Sequence, residues 1–314
     1  MKKVAFVFPG QGAQYVGMGK ELACNYKEAM EIFDIACEKL GLDMKKLCFD
    51  SNPDILRNTE ITQPAIYTVS VAILNVVKKM GVSAYASAGL SLGEYAALVA
   101  AGAIDFGETI SLVRKRGLYM QQNSGECTAS MAAVMGLDRS LVYNYIQEIN
   151  VAENIVEIAN YNCPGQVVIS GSSDAVKKAC DGLHSLGAKN IVPLSVNAPF
   201  HSSLMRPVAE KFAKEMENIS IHDCDSIKFL SSVTGNVISD SEAIRTNLIK
   251  QIYSPVLWED VIVEMLDLGI NTFVEIGPGK TLTNLIKTIN RDVETLSVQD
   301  QKTLDAACLY INDL

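Results

Sequence analysis

The stretch Gly89-Leu90-Ser91-Leu92-Gly93 has the G-x-S-x-G form in which a tight strand-to-helix turn exposes a serine nucleophile. Glycines on both sides let the chain bend sharply enough to lift the Ser91 Oγ above the edge of a sheet. The same turn sets the Leu92 N–H at a helix N-terminus, where it can face an oxyanion forming beside Ser91. A serine hydroxyl is a weak nucleophile without a base. The chain has three histidines, His184, His201 and His222, and none is near Ser91 in sequence. His184 lies near a helix end and His222 in a polar loop, so both are expected in solvent. His201, in "NAPFHSSLMRP", lies where one structural unit returns to another, a place where sites gather, and is the expected base. Its second ring nitrogen needs an acceptor. No pattern marks an Asp for this, and a main-chain carbonyl would serve.

A second Gly-rich turn, Pro9-Gly10-Gln11-Gly12-Ala13-Gln14, follows the first strand. The phosphate-loop pattern G-x-x-x-x-G-K-[ST] is absent, and G-x-G-x-x-G fails at Tyr15. The turn is either a plain connection or the means of bringing the Gln11 N–H to the pocket as a second oxyanion donor. Arg116 cannot be promoted above its neighbours Arg114 and Lys115 by spacing alone. The eight cysteines form no C-x-x-C and no zinc-ligand spacing, so buried thiols in a reducing cytoplasm are expected.

Short apolar strands alternating with helical periodicities predict an α/β fold with a parallel sheet. Strands are expected at Val4–Phe8, Ala84–Gly89, Phe229–Val233 and Thr272–Ile276. Helices are expected at Gln63–Met80, with Pro64 in its first turn, and at Leu92–Ala100, Glu108–Gln122, Ser203–Met216, Ser241–Ile252 and Glu259–Leu268, before a closing helix and strand. Between 128 and 197 the order changes to strand Ser130–Met135, helix Arg139–Ile149, strands Ile155–Asn160 and Gln166–Ser170, helix Ser173–Leu186 and strand Ile191–Val196. That β-α-β-β-α-β order is the ferredoxin-like pattern. The expected organisation is a catalytic unit of residues 1–127 and 198–314 interrupted by a subdomain of 128–197.

A net charge of −9 argues against a nucleic-acid surface and a polybasic membrane anchor. The N-terminal apolar run Val4–Phe8 is broken by Pro9-Gly10 and reads as a buried strand rather than a signal peptide. The longest apolar run, Tyr95–Ile104, falls short of the ~20 residues that cross a bilayer.

Together these segments resemble one family, the malonyl-CoA:acyl carrier protein transacylases. The resemblance runs through "FPGQGAQYVGMG", "TQPAIYTVSVA", "GLSLGEYAALVAAGA", "RKRGLYMQ", "MAAVMG", "NYNCPGQVVISG", "APFHSSLMRPVAE", "QIYSPVLW" and "FVEIGPGKTLTNLIK", in order over nearly the whole chain. It implies an α/β-hydrolase-like core with the ferredoxin-like insert, and a Ser91–His201 pair whose imidazole is held by the Gln251 main-chain carbonyl. It further implies oxyanion donors at Gln11 and Leu92, Arg116 as the clamp on a malonyl carboxylate, and Gln63 and Asn162 lining the pocket. Phe200 corresponds to a bulky position that accompanies malonyl over methylmalonyl in similar polyketide synthase domains. The family usually carries His where this chain has Leu90.

The implied reaction is ping-pong malonyl transfer from malonyl-CoA through Ser91 to the phosphopantetheine thiol of acyl carrier protein, supplying fatty acid synthesis, with no cofactor and no metal. An imidazole of ordinary pKa, ~6.5, suits the proton transfers. A cytoplasmic monomer is expected. The implied carrier is acidic, so a local basic patch drawn from Arg114, Lys115, Lys189, Arg206 and Lys280 is expected. The alternatives are a serine esterase or thioesterase, a non-catalytic carrier-binding module, and a trans-acting acyltransferase of a polyketide synthase.

Overall fold

A computed structural model describes residues 3–122, 129–151, 154–196 and 198–312. Cys127 and the expected boundaries at 127/128 and 197/198 lie outside or at the edge of the described residues. The chain begins β1 (Lys3–Phe8), α1 (Lys20–Asn25), α2 (Lys27–Leu40), α3 (Met44–Asp50), α4 (Thr59–Lys79), β2 (Ala86–Gly89), α5 (Gly93–Ala101) and α6 (Phe106–Gln122). It continues with β3 (Ala129–Met135), α7 (Arg139–Ile149), β4 (Val156–Cys163), β5 (Gln166–Ser172), α8 (Ser173–Ser185) and β6 (Asn190–Pro193). It closes with α9 (Arg206–Met216), β7 (Lys228–Leu230), β8 (Val237–Ile238), α10 (Ser241–Gln251), α11 (Trp258–Asp267), β9 (Ile270–Ile276), α12 (Thr281–Ile289), β10 (Glu294–Val298) and α13 (Gln301–Asn312).

The fold is mixed α/β, with one largely parallel sheet and a separate antiparallel one. The larger sheet has the order β10-β9-β1-β2-β7-β8. All its pairings are parallel except β7 with β8. In β1 successive side chains point to opposite faces. Val4, Phe6 and Phe8 join the core beneath α4 and α5, whereas Ala5 and Val7 join a second core with Trp258, Ile262 and Leu282 of α11 and α12. Helices therefore cover both faces, which is why β1 reads as a continuous apolar run.

Helix α4 begins a turn before the expected Gln63, because the Asn58 side chain caps it by accepting from the Glu60 N–H. Pro64 thus lies inside the helix rather than in its first turn. This helix is long and apolar enough to cross a membrane, which the apolar-run reading overlooked, but 83% of its most apolar window is buried within the fold. The segment expected as one helix from Ser203 splits into a 3-10 turn, Ser203–Met205, and α9. Pro207 sits in the first turn of α9, where a missing N–H costs nothing.

The antiparallel sheet has the order β4-β5-β3-β6. One face carries α7 and α8 on Ala132, Val134 and Ile169. The other face turns Met131, Ala133 and Val168 toward the larger unit. Main-chain bonds tie β4 to the segment before α11: Tyr161 N–H donates to the Val256 carbonyl at 2.9 Å and Val256 N–H to the Ala159 carbonyl at 2.8 Å. Arg139 adds an ion pair to Asp260 at 3.1 Å. The small sheet is thereby held over the C-terminal ends of β1 and β2.

Candidate active site

The turn between β2 and α5 needs both of its glycines. A Cβ on Gly89 would lie 1.9 Å from the Gly93 carbonyl carbon, and one on Gly93 would lie 2.1 Å from the Phe8 carbonyl oxygen. Neither contact can relax without moving backbone. Between them Ser91 sits at φ 52°, and His201 sits at φ 60°; these are the two non-glycine residues with positive φ among those described. Left-handed backbone at such residues costs about 1–3 kcal/mol each and persists where the surroundings fix it.

The two strained residues meet. Ser91 Oγ lies 2.8 Å from His201 Nε2. His201 Nδ1 lies 2.8 Å from the Gln251 carbonyl oxygen. A carbonyl can only accept, so Nδ1 carries the proton and Nε2 is free to take the Ser91 proton. His184 and His222 are exposed, as expected. Burial, with the nearby Arg116 charge, lowers the His201 pKa to about 4. The expectation of an ordinary imidazole pKa is therefore corrected: this ring is neutral throughout the physiological range, because there is little water to solvate an imidazolium.

Arg116 projects from α6 into the same site and has no exposed surface. Gly117 beside it lets the helix approach α4; a Cβ there would lie 2.6 Å from the Thr59 carbonyl oxygen. Nη1 donates to Gln63 Oε1 at 2.8 Å, and Nη2 donates to Gln251 Oε1 at 2.8 Å and to Ser91 Oγ at 3.1 Å. Its Nε is buried with no partner. A guanidinium beside the reacting hydroxyl, with no carboxylate bonded to it directly, is a ready receptor for a substrate carboxylate.

A cavity of about 120 Å³ lies over Ser91, lined in part by Gln11, Gln63, Leu92 and Phe200. The main-chain N–H groups of Gln11 and Leu92 donate to no acceptor among the described residues. Both residues line the cavity over Ser91. Asn162 is not among the lining residues; Asn160 takes that place. The register of β4 shifts on both sides of Asn160 and Tyr161, which simple strand alternation does not reveal. Asn162 is buried, and its Oδ1 has no partner. Sequence reasoning also missed Glu94, fully buried under the elbow, and gave no role to the Gln251 side chain.

Two of the five expected basic-patch residues are spoken for. Arg114 pairs with Glu60 at 2.7 Å and Lys115 with Glu215 at 2.6 Å. Arg206 stacks over the Tyr253 ring at 4.4 Å. Lys189 and Lys280 are exposed.

Leu90 lines the cavity and also reaches a neighbouring space bounded by Pro9 and Leu282. A leucine side chain can neither carry a proton nor donate a hydrogen bond. Leu90→His is therefore expected to leave steady-state turnover within about threefold. A loss as large as that of His201→Ala would contradict this.

The sequence matches the family model described as acyl transferase domain over residues 5–313. It is 41% identical over 307 residues to the malonyl CoA-acyl carrier protein transacylase of Bacillus subtilis (strain 168), covering 98% of this chain and 96% of the relative. The structure superposes on that of a malonyl CoA-acyl carrier protein transacylase from Clostridium perfringens with a TM-score of 0.94 at 42% identity, covering 99% and 98% of the two chains. It also superposes on a malonyl-transacylase in complex with a type II PKS acyl-carrier protein, with a TM-score of 0.95 at 37% identity, over 98% and 100%. This chain belongs to the acyl transferase domain family, among the malonyl CoA-acyl carrier protein transacylases.

Proposed function

We propose that this chain transfers malonyl from malonyl-CoA to the phosphopantetheine thiol of acyl carrier protein, supplying fatty acid synthesis, through a malonyl ester on Ser91. The observation that carries the reading is one hydroxyl serving two partners: Ser91 Oγ is 2.8 Å from His201 Nε2 and 3.1 Å from Arg116 Nη2. His201 takes the Ser91 proton as Oγ attacks the thioester carbonyl. The Gln11 and Leu92 N–H groups receive the oxyanion, and the protonated imidazole passes its proton to the departing CoA sulfur. Arg116 grips the free malonyl carboxylate. The carrier thiol then attacks the Ser91 ester, and the same groups act in the opposite order.

The low His201 pKa fits this cycle. Arg116 is one of the groups that disfavours an imidazolium. A malonyl carboxylate on Arg116 offsets that charge, so the correct substrate strengthens its own base.

We further read the larger unit as α/β-hydrolase-like, formed by residues 1–127 and 198–314, with 128–197 as a ferredoxin-like insert. The strand order β4-β5-β3-β6 with α7 and α8 on one face supports that reading. Lys189, Arg206 and Lys280 remain as the cations offered to an acidic carrier. A cytoplasmic setting is supported by the seven free cysteines among the described residues.

The test is transfer of labelled malonyl. Malonyl-CoA is expected to label Ser91, the label to persist without acceptor, and holo-carrier protein to discharge it; Ser91→Ala takes none. Label that decays in water at the same rate with and without carrier would make the chain a thioesterase. A polyketide carrier is a second acceptor to compare, because one structural relative is complexed with such a protein.

A further inference from the structure

Glu94 lies three residues after Ser91, in the first turn of α5, and is 1% exposed. Both its oxygens accept: Oε1 from the Ser232 N–H and Oε2 from Gln251 Nε2. The second Gln251 Nε2 hydrogen goes to the Ser91 main-chain oxygen at 3.1 Å. Gln251 Oε1 accepts from Arg116 Nη2 at 2.8 Å, and the Gln251 main-chain oxygen accepts from His201 Nδ1 at 2.8 Å. One residue therefore touches the base, the nucleophile and the guanidinium.

The orientation of that amide is not arbitrary. Arg116 only donates and a carboxylate only accepts. The amide must present oxygen to Arg116 and nitrogen to Glu94. Turned over, it would set N–H groups against the guanidinium and an oxygen against the carboxylate, both buried and repelling.

We propose that Glu94 is a positioning residue whose carboxylate fixes the Gln251 side-chain amide in the orientation that holds Arg116 ready for a substrate carboxylate. The inference rests on the reading of Arg116 as the malonyl clamp. Its signature is selectivity. The main-chain carbonyl that holds His201 is fixed by α10, so losing Glu94 loosens the clamp more than the base. A neutral Gln at position 94 must turn an N–H toward either Ser232 N–H or Gln251 Nε2. The strain is relieved if Gln251 turns over and offers its N–H groups to Arg116.

The same misfit follows when Glu94 itself takes a proton. Arg116, facing it from α6, and Tyr95, its neighbour on α5, are the charged and titratable groups around it; Gln251 of α10 and Ser232 after β7 do not titrate. Burial raises the Glu94 pKa to about 7. The malonyl reaction is therefore expected to decline as pH falls through about 7, where His201 is still neutral.

The experiment compares kcat/KM for malonyl-CoA and acetyl-CoA in wild type, Glu94→Gln, Glu94→Asp and Gln251→Ala. A misplacement of this kind costs roughly 10²-fold, so Glu94→Gln is expected to lose about that much on malonyl and less than about tenfold on acetyl. Glu94→Asp, which keeps two acceptor oxygens, recovers part of the malonyl preference. Glu94→Gln combined with Gln251→Ala is no worse than Gln251→Ala alone, since both act on one link. The acid limb near neutrality disappears in Glu94→Gln. Equal losses on both substrates, additive losses in the double variant, or an acid limb that survives the substitution would overturn the inference. Should Glu94→Gln not fold, Gln251→Met in the Glu94 background takes its place; retained malonyl preference there overturns the inference equally. Wild type that takes no malonyl label on Ser91 overturns the acyl-transfer reading and this inference with it. Wild type that labels while Glu94→Gln keeps its preference overturns this inference alone.

Discussion

His201→Ala is expected to slow malonyl transfer by about 10⁴-fold, the upper end of what a positioned general base supplies. No second imidazole is available: His184 and His222 are exposed on other elements, and position 90 is leucine. The measurement is single-turnover labelling of Ser91 by malonyl-CoA, with the melting temperature followed in parallel. The stability readout has its own sign. The folded-state pKa of His201 is depressed to about 4, below the ~6.5 of an unfolded chain. Between those values the unfolded chain binds the extra proton, so wild type loses stability as pH falls through that window. His201→Ala lacks this term and is expected to lose less over the same range. Labelling within tenfold of wild type would remove His201 from the chemistry.

Arg116→Ala carries the second large effect. Removing one member of a buried charged pair costs about 3–5 kcal/mol, which corresponds to roughly 10²–10⁴-fold in kcat/KM for malonyl-CoA. Acetyl-CoA presents no carboxylate and is expected to lose far less, so discrimination narrows. Arg116→Lys is expected not to restore it. A single ammonium cannot span Gln63 Oε1, Gln251 Oε1 and the Ser91 hydroxyl as the guanidinium does. Steady-state kinetics with the two thioesters decides the matter, and unchanged selectivity would show that the carboxylate is held elsewhere.

The Ser91 turn was readable because its geometry demands particular residues. Gly89 and Gly93 are forced by contacts with backbone, and such contacts leave a pattern in the sequence. His201 was reachable by elimination among three histidines and by its place at the return from the insert. Arg116 was not separable from Arg114 and Lys115 by spacing, because what distinguishes it is burial against α4; only the family resemblance singled it out. The Gln251 carbonyl left no trace of its own, since every residue has a carbonyl. Glu94 read as one more helical residue; its partners, Ser232 and Gln251, are 138 and 157 residues away.

The same limits governed the fold. The α7 limits agree with the expected Arg139–Ile149 because Asp138 caps it and its apolar face is regular. Helices α1 and α3, six and seven residues long, carry too few turns for periodicity to register. Helix α4 starts before the expected Gln63 because the Asn58 cap, not Pro64, sets its first turn. Asn160 was missed because only the resemblance marks this stretch, and it marks Asn162, two residues further along β4.

Strand β1 lies between β2 and β9, so one of its sides is sealed only by residues 270–276. During synthesis it must wait for nearly the whole polypeptide to leave the ribosome. Until then the unpaired N–H and C=O groups on that side are open to other chains. The site around Ser91 therefore cannot be complete in the nascent protein before Gln251 is made, because that residue's carbonyl holds His201.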